Sequence, residues 1–334
     1  MLSISENKKG GFLPEAHDIA HTLCFVIHDA MVQIIKSGEE QNVFTTRISL
    51  KTDNEVESLE EMGDIFLWLE IEKRFDDRAK ILKTYILPFV LSDMMHCVFE
   101  SLESSRKAKL SISYMLIRKP LQESLYLLEE IVLDELDFSE KLATDPLKLR
   151  PSNASSIENH VQRIRKVLEI IGESTRFDAN YIAQLRYEKR QEDSFDRICN
   201  KAMHLFTERR SIRTEKLNIN FIFSGWDTKL AQWSYLYSRL PYLLFYIYKV
   251  VEYILGGIAP TTQKYLDDIQ RRISALIILW WESVEERYKC HQLTDFAKET
   301  KFWLYEHCKS SRYRRPENKD LLRMYKTGAY PKGE

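Results

Sequence analysis

WSYLYSRLPYLLFYIYKVVEYIL, residues 233–255, combines aromatic and aliphatic side chains over a length that suits one long helix. With the residues that precede it from Trp226, it predicts a helix over 226–255. Aromatic side chains at this density are typical of a core or an interface, where tyrosine keeps its hydroxyl near water. A base-stacking platform or a ligand pocket is the alternative interpretation. In each case this segment favours a helical fold.

The composition of the whole chain favours the same architecture. The chain has 334 residues, of which 44% are hydrophobic and 12% aromatic, as expected of a folded globular protein. It contains only 10 Gly and 9 Pro, which suits long helices better than a turn-rich β-fold. We therefore predict an all-α fold, a multi-helix bundle with at most a small two-stranded β element.

Helical periodicity covers most of the chain. A first helix is predicted from Pro14 to Gly38, and helical structure resumes from Val56 to about Phe138, with interruptions at Pro88 and Pro120. Further helices are predicted over about 156–172, 177–190, 192–207, 226–255, 261–288 and 291–309.

One segment has the character of a β-strand. VFTTRISL, Val43–Leu50, is rich in β-branched residues that roughly alternate with polar ones. A single strand cannot make a sheet, so this segment either pairs with Asn220–Ser224 or forms an extended loop.

A linker divides the predicted helices into two groups. Asp145–Ser156, DPLKLRPSNASS, combines two prolines with a cluster of Ser and Asn. It separates an N-terminal helical region, residues 1–145, from a C-terminal helical region, residues 156–309, although one continuous domain fits the same pattern. Residues 310–334 are predicted to form a basic tail, in which Tyr313 offers a stacking face beside three arginines or in which the charges only promote solubility.

Charge and cysteine usage narrow the class of protein. The net charge is −1, so binding to a nucleic acid must rest on a local basic patch. The five cysteines are scattered and form no CxxC pair, which is typical of reduced thiols in the cytosol. The apolar stretches are short or interrupted by charges, and the N-terminal residues lack the apolar run of a signal peptide. A soluble, cytoplasmic protein without a membrane span is expected.

RICNKAMH, Arg197–His204, is the segment from which chemistry is predicted. Residues seven apart in a helix lie on one face, so Arg197 and His204 would share a stripe with Asn200 and Lys201. Such a stripe is also what an ordinary solvated helix face presents.

The spacing of these two residues resembles the R-x4-6-H signature of HEPN-domain proteins, which are helical bundles common in bacterial toxin and antiviral systems. SYMLIRKPLQESLYLLEEI, Ser113–Ile131, looks like the Arg-plus-Glu helix of HEPN-like proteins, with Arg118 and Glu123 as its polar residues. Family members often carry a polar residue directly after the arginine. Here that residue is Ile198, and Asn200 is a candidate to stand in for it.

The resemblance implies metal-independent RNA cleavage by a homodimer, with no cofactor and with an antitoxin or defence-system protein as a partner. His204 would act as general acid or base, Arg197 would hold the phosphate, and Asn200 would orient either group. Residues 186–216 contain nine Lys and Arg against six acidic residues. From this basic segment, Lys201, Arg209 and Arg210 are predicted to bind the RNA.

Two other functions remain open at this stage. One is a non-catalytic helical interaction or sensor module that binds a protein or a nucleic acid. The other is a metal-dependent phosphohydrolase that uses His17, His21 and His28, which follow one another along the first helix. Histidines in such a stripe also occur simply where a helix borders a core. No phosphate-binding glycine loop or nucleophile elbow is present in the sequence.

Overall fold

The computed structural model describes residues 11–221 and 224–332, and within these residues the fold is all-helical, as predicted. The α-helices are α1 (Asp18–Glu40), α2 (Asp53–Met62), α3 (Ile65–Ile71), α4 (Phe75–Arg106), α5 (Leu110–Lys119), α6 (Leu125–Leu133), α7 (Glu135–Thr144), α8 (Ile157–Ile170), α9 (Ala179–Tyr187), α10 (Phe195–Met203), α11 (Trp226–Gly256), α12 (Gln263–Ser283), α13 (His291–Ser310) and α14 (Asn318–Thr327). Residues 1–10, in which a signal peptide was sought, lie outside the described part of the chain.

The aromatic segment forms α11, close to the predicted bounds of 226–255. Trp233, Tyr237, Tyr242 and Tyr246 are completely or almost completely buried, so the interpretation of this helix as core is confirmed. Their polar atoms are satisfied inside the protein. The indole Nε1 of Trp233, for example, donates to the carbonyl of Ser105 over 3.0 Å, which makes the aromatic density compatible with full burial.

One hydrophobic core joins the two predicted regions. It runs from Leu13 to Phe296 and includes residues on both sides of the Asp145–Ser156 linker. Within it, α1 packs against α4, α11 and α12. The described residues therefore favour the single continuous domain over a division at the linker.

Neither strand candidate forms a β-strand in the described residues. Val43–Leu50 follows the end of α1 as turn and irregular structure, and of Asn220–Ser224 the residues Ile222 and Phe223 lie outside the described part. Without a paired strand, the backbone of residues 45–50 gains no ladder of hydrogen bonds. Phe44 instead folds back so closely that a Cβ at Gly38 would lie 2.4 Å from its ring.

Two of the predicted interruptions differ from what the structure shows. Pro88 lies inside α4, which continues through it. Pro120 neither ends the helical path nor begins an ordinary helix, because Pro120–Ser124 forms a π-helical turn between α5 and α6.

The segment predicted as a basic tail is folded over most of its length. Residues 318–327 form α14, which packs on α12 and buries Leu321 and Met324 in a second, smaller core. The rings of Tyr313 and Tyr330 stack with centroids 4.3 Å apart, so one face of Tyr313 is already occupied.

Two helical segments of the described residues, Glu15–Glu40 and Phe75–Arg106, are long and apolar enough to cross a membrane when judged by length and composition alone. Both also contribute side chains to the core, among them Leu23 and Ile27 in the first and Leu91 and Val98 in the second. A buried core helix meets the same criterion, so this finding is weak support for a membrane span.

Candidate functional site: a cleft beside the predicted catalytic segment

The helix that carries Arg197 is shorter than predicted. Residues 192–207 were expected to be helical, but α10 ends at Met203, and His204 is extended with φ −120° and ψ 132°. The side chain of Asn220 donates to the carbonyl of His204 over 2.9 Å, beyond the end of the helix. The predicted helix 192–207 is therefore wrong at its C-terminal end, and His204 directly follows the last residue of α10.

No hydrogen bond or ion pair joins the side chains of Arg197, Asn200 and His204 in the described residues. The amide of Asn200 donates to the backbone carbonyl and to Oδ1 of Asp196, over 2.6 and 2.7 Å, and so caps its own helix turn. The side chains of Arg197, Lys201 and His204 form no ion pair or hydrogen bond with the described residues. His204 is exposed, and Arg197 is half-buried.

A cleft of about 1450 Å³ lies next to this segment. It is bounded by α4, the α5–α6 junction, the Asp145–Ser156 linker, the start of α8, the end of α9 and one residue of α10. Arg118, Glu123 and Arg209, all named from the sequence, line it, whereas Arg197 and His204 do not. Arg210 lines an adjoining cavity of about 770 Å³ that shares Arg209 with the cleft.

The π-turn supplies one wall of the cleft. Proline has no N–H to donate to the preceding turn. The carbonyl of Pro120 accepts from the N–H of Leu125, five residues later, which is the bond of a π-helical turn. The wider turn places Gln122, Glu123 and Ser124 along the cleft. Such turns within helices are frequent at functional sites, and this one falls inside the Ser113–Ile131 segment.

A buried network of charges lies beneath this wall. The carboxylate of Glu129 accepts from Nη1 of Arg186 over 2.5 Å, from the hydroxyl of Tyr246 over 2.8 Å, and from Arg163. Arg163 also bonds Glu130 over 2.8 Å. Burial opposes ionisation of Glu129, but the two guanidiniums outweigh it and hold the pKa of Glu129 below its ordinary value. The network is thus a compensated, fully buried charge cluster.

His160 connects this network to the cleft. Its ring stacks on that of Tyr187, with centroids 3.7 Å apart and planes 13° apart, and it meets the edge of Tyr126 on its other side. Burial, together with the positive charges of Arg186 and Arg163, lowers the pKa of His160 to about 4. The imidazole is therefore neutral at neutral pH and is a poor general base there.

The mouth of the cleft holds cations without counter-ions. Arg150, Arg190 and Arg209 are exposed, line the cleft, and form no ion pair with the described residues. The lysines of the cleft differ, since Lys119 bonds Asp93 over 2.6 Å and Lys189 lies 3.6 Å from Asp196. Unpaired guanidiniums that converge on a cavity are suited to bind phosphate or carboxylate groups of a ligand.

The sequence analysis missed His160, Tyr187, Gln122, Arg150 and Arg190. The Lys189-Arg190 pair at the end of the predicted helix 177–190 was one available signal for Arg190. The stack of His160 on Tyr187 joins residues of two different helices, and no spacing rule within one element could have revealed it.

The stripe of histidines in α1 does not form a metal site. His21 accepts or donates a hydrogen bond with the hydroxyl of Tyr237 over 2.8 Å, and His28 bonds the neighbouring Asp29. The part of the chain that the structure describes contains no group of three or more His, Cys, Asp or Glu able to hold a metal ion.

No family model, curated protein or solved structure matches the chain. The resemblance to HEPN proteins therefore rests on the quoted residues alone, and the cleft is interpreted from its own geometry.

Proposed function

We propose that the chain is a helical interaction or sensor module that binds single-stranded RNA in the cleft. The observation that carries this proposal is the set of three exposed and unpaired arginines, Arg150, Arg190 and Arg209, around one cavity. A guanidinium presents a planar fork of donors that matches two oxygens of a phosphodiester. Arg210 extends the basic surface into the adjoining cavity.

The size and the lining of the cleft support a strand over a small ligand. Its volume of about 1450 Å³ exceeds the roughly 300–1,000 Å³ typical of small-molecule pockets. Phe89 lies on the cleft wall with 60% of its surface exposed, and its ring is 5.0 Å from that of Tyr85. Exposed aromatic rings beside a basic groove are the combination that binds single strands, because bases stack on the rings while cations hold the backbone.

The proposal is tested with a fluorescently labelled single-stranded RNA of about twelve nucleotides and measurement of anisotropy. The double variant Arg190→Gln with Arg209→Gln is expected to bind at least ~10-fold more weakly than the wild type, since two charge-assisted contacts are lost. The matched control is Arg47→Gln with Lys80→Gln, two exposed and unpaired cations outside the cleft. Equal affinities for both double variants, or a wild type that does not bind, would overturn the proposal.

RNA cleavage is the second candidate function, as the HEPN resemblance implies, in a bacterial toxin or phage-defence setting. The observation that favours it is that the side chains of Arg197 and His204 have no partner among the described residues and are thus free to act on a substrate. The two residues would have to meet a phosphate across a homodimer, because one copy does not enclose them. The RNA 2′-OH would attack the adjacent phosphorus as His204 accepts its proton. The bond from phosphorus to the 5′ oxygen would then break, and the proton would pass to that leaving oxygen, which yields a 2′,3′-cyclic phosphate and a 5′-hydroxyl end.

The test of cleavage is the integrity of total RNA after induction of the wild type and of His204→Ala, with EDTA in the lysate. Fragmentation that requires both His204 and Arg197 would support this candidate. Intact RNA in the presence of the wild type, under conditions in which the protein is a dimer, would exclude it.

A further inference from the structure

The cleft changes in chemical character from its mouth to its buried end. The three arginines at the mouth are exposed, whereas Gln122, Ser124 and His160 are only 7%, 7% and 8% exposed and still line the same cavity. The mouth therefore presents the unpaired arginines to a ligand, beside the carboxylates of Glu123, Glu158 and Glu188. The buried end presents the hydrogen-bonding groups of the three buried side chains, next to the carboxylate of Asp196, which is 4% exposed and accepts from Gln122.

Gln122 is held so that its acceptor stays free. Its amide nitrogen donates to the carbonyl of Arg186 and to Oδ1 of Asp196, both over 2.8 Å. These two bonds use both N–H groups and fix the orientation of the amide. The carbonyl oxygen Oε1 has no partner among the described residues, and it is not one of the side-chain atoms that are sealed from solvent.

His160 is held equally firmly and also keeps one polar atom free. The flanking rings of Tyr187 and Tyr126 fix its plane, and Nδ1 is sealed without a partner. Nε2 is not sealed and forms no hydrogen bond with the described residues. With its proton on Nε2, the neutral imidazole would present a donor to the cleft, whereas Gln122 presents an acceptor.

Gln122 and His160 are more than nine-tenths buried, yet each keeps one polar atom open to solvent, where a ligand or water can satisfy it. A donor and an acceptor on the lining of one cavity can pair with a nucleobase, whose edge places an N–H next to an acceptor. Leu127, Leu149 and Ile157 also line the cleft and supply apolar contact for the faces of a planar ring.

We infer that the buried end of the cleft receives one nucleobase of the ligand, read by His160 and Gln122, while the arginines at the mouth hold its phosphate. This inference rests on the proposed RNA binding and makes it specific. The cleft would take a terminal or splayed-out nucleotide with its base pointing inward, so that binding depends on the base and not only on the backbone.

The test compares the four ribonucleoside 5′-monophosphates with ribose 5-phosphate by isothermal titration calorimetry. These ligands share the sugar and the phosphate and differ only in the presence of a base. At least one nucleotide is expected to bind ~10-fold more tightly than ribose 5-phosphate, a difference of about 1.4 kcal/mol. The signal of the His160 ring in a histidine NMR spectrum, assigned by its loss in His160→Phe, is expected to shift with that nucleotide only.

His160→Phe is the decisive variant, since phenylalanine can keep the stack on Tyr187 and has no ring nitrogen. It is expected to remove the advantage of the nucleotide and to leave the affinity for ribose 5-phosphate unchanged. Arg190→Gln, in contrast, is expected to weaken both ligands by the same factor. Thermal unfolding of each variant checks that the fold is retained.

Two results would overturn the inference: none of the four nucleotides exceeds ribose 5-phosphate, or the excess persists in His160→Phe. The proposed RNA binding has its own separate outcome. If the labelled strand binds and requires Arg190 and Arg209 but no base preference exists, RNA binding stands and the base-reading site falls. If the nucleotides show the base preference but the labelled strand does not bind, the base-reading site stands and RNA binding falls.

Discussion

The charge network behind the cleft and the mouth of the cleft hold positive charge in opposite ways. The network of Glu129, Glu130, Arg163 and Arg186 does not itself line the cleft and is called the floor below. On the floor, Arg186 and Arg163 are buried and are neutralised by Glu129 and Glu130 at hydrogen-bonding distance. At the mouth, Arg190 and Arg209 are exposed and have no acidic partner among the described residues. Buried charges require partners to be tolerated at all, whereas exposed charges do not. The floor is thus suited to position the walls, and the mouth is suited to bind an anion.

The comparison is tested most severely by Glu129→Gln. The amide keeps the shape of the carboxylate but leaves Arg186 with an uncompensated buried charge, whereas Arg163 keeps its bond to Glu130. We expect the free energy of unfolding to fall by about 3–5 kcal/mol, as measured by urea denaturation. Glu123→Gln is the matched control, because this carboxylate is 57% exposed and 3.7 Å from Arg118, and an exposed pair is worth at most ~1 kcal/mol. Equal losses for the two variants would mean that the floor is not held by charge pairing.

A second test of the floor is the dependence of stability on pH. The pKa of His160 is about 4 in the folded protein, against 6.5 for an unperturbed histidine. Between these values the unfolded chain binds a proton that the folded protein refuses, so stability falls as the pH is lowered from 6.5 to 4. The slope is at most ~1.4 kcal/mol per pH unit, or roughly 2–3 kcal/mol over the whole window.

The contribution of His160 is isolated by the difference between the wild type and His160→Phe. Other groups titrate in the same range, among them His17 and His307, whose pKa values are also lowered by burial. These contributions cancel in the difference. If the two proteins lose stability in parallel from pH 6.5 to 4, the imidazole of His160 is not the neutral, buried group described above.

The sequence alone was sufficient to predict the structural features that depend on a local pattern of residues. The helix α11 was predicted within one residue at its C-terminal end, because its side chains and length identify it without any knowledge of its neighbours. The end of α10 could not be predicted in that way. The carbonyl of His204 bonds Asn220, sixteen residues later in the chain, and Leu205 and Phe206 are exposed although the helix was predicted to include them.

The candidate site was predicted only in part for the same reason. Arg209 was identified from local charge, and Arg118 and Glu123 from the family resemblance, and these three residues line the cleft. The cleft itself is assembled by segments from α4 to Arg209. One of its walls is the linker Asp145–Ser156, which the sequence left open as a domain boundary or a loop within one bundle. Tertiary packing of this kind leaves no periodic signal in the sequence.

The mouth is tested by the salt dependence of RNA binding. Each phosphate contact with a single strand contributes a slope of about −0.7 to a plot of log K against log salt concentration. Arg190→Gln is expected to reduce that slope by about this amount and to change the free energy of unfolding by less than ~0.5 kcal/mol. Lys119→Gln is the informative comparison, because Lys119 is already bonded to Asp93 and should change the slope less.

Arg197→Ala and His204→Ala are expected to have the smallest effect on RNA binding, less than about twofold in Kd by anisotropy at physiological salt. Neither residue lines the cleft, and at this ionic strength exposed charges beyond about 8 Å from a phosphate are largely screened. A loss of tenfold or more in either variant would place the ligand on α10 and its C-terminal loop and would remove the cleft from the binding surface. A small effect on binding combined with loss of RNA fragmentation would assign the two regions different tasks, with the cleft holding the strand and a dimer of the Arg197–His204 segment cutting it.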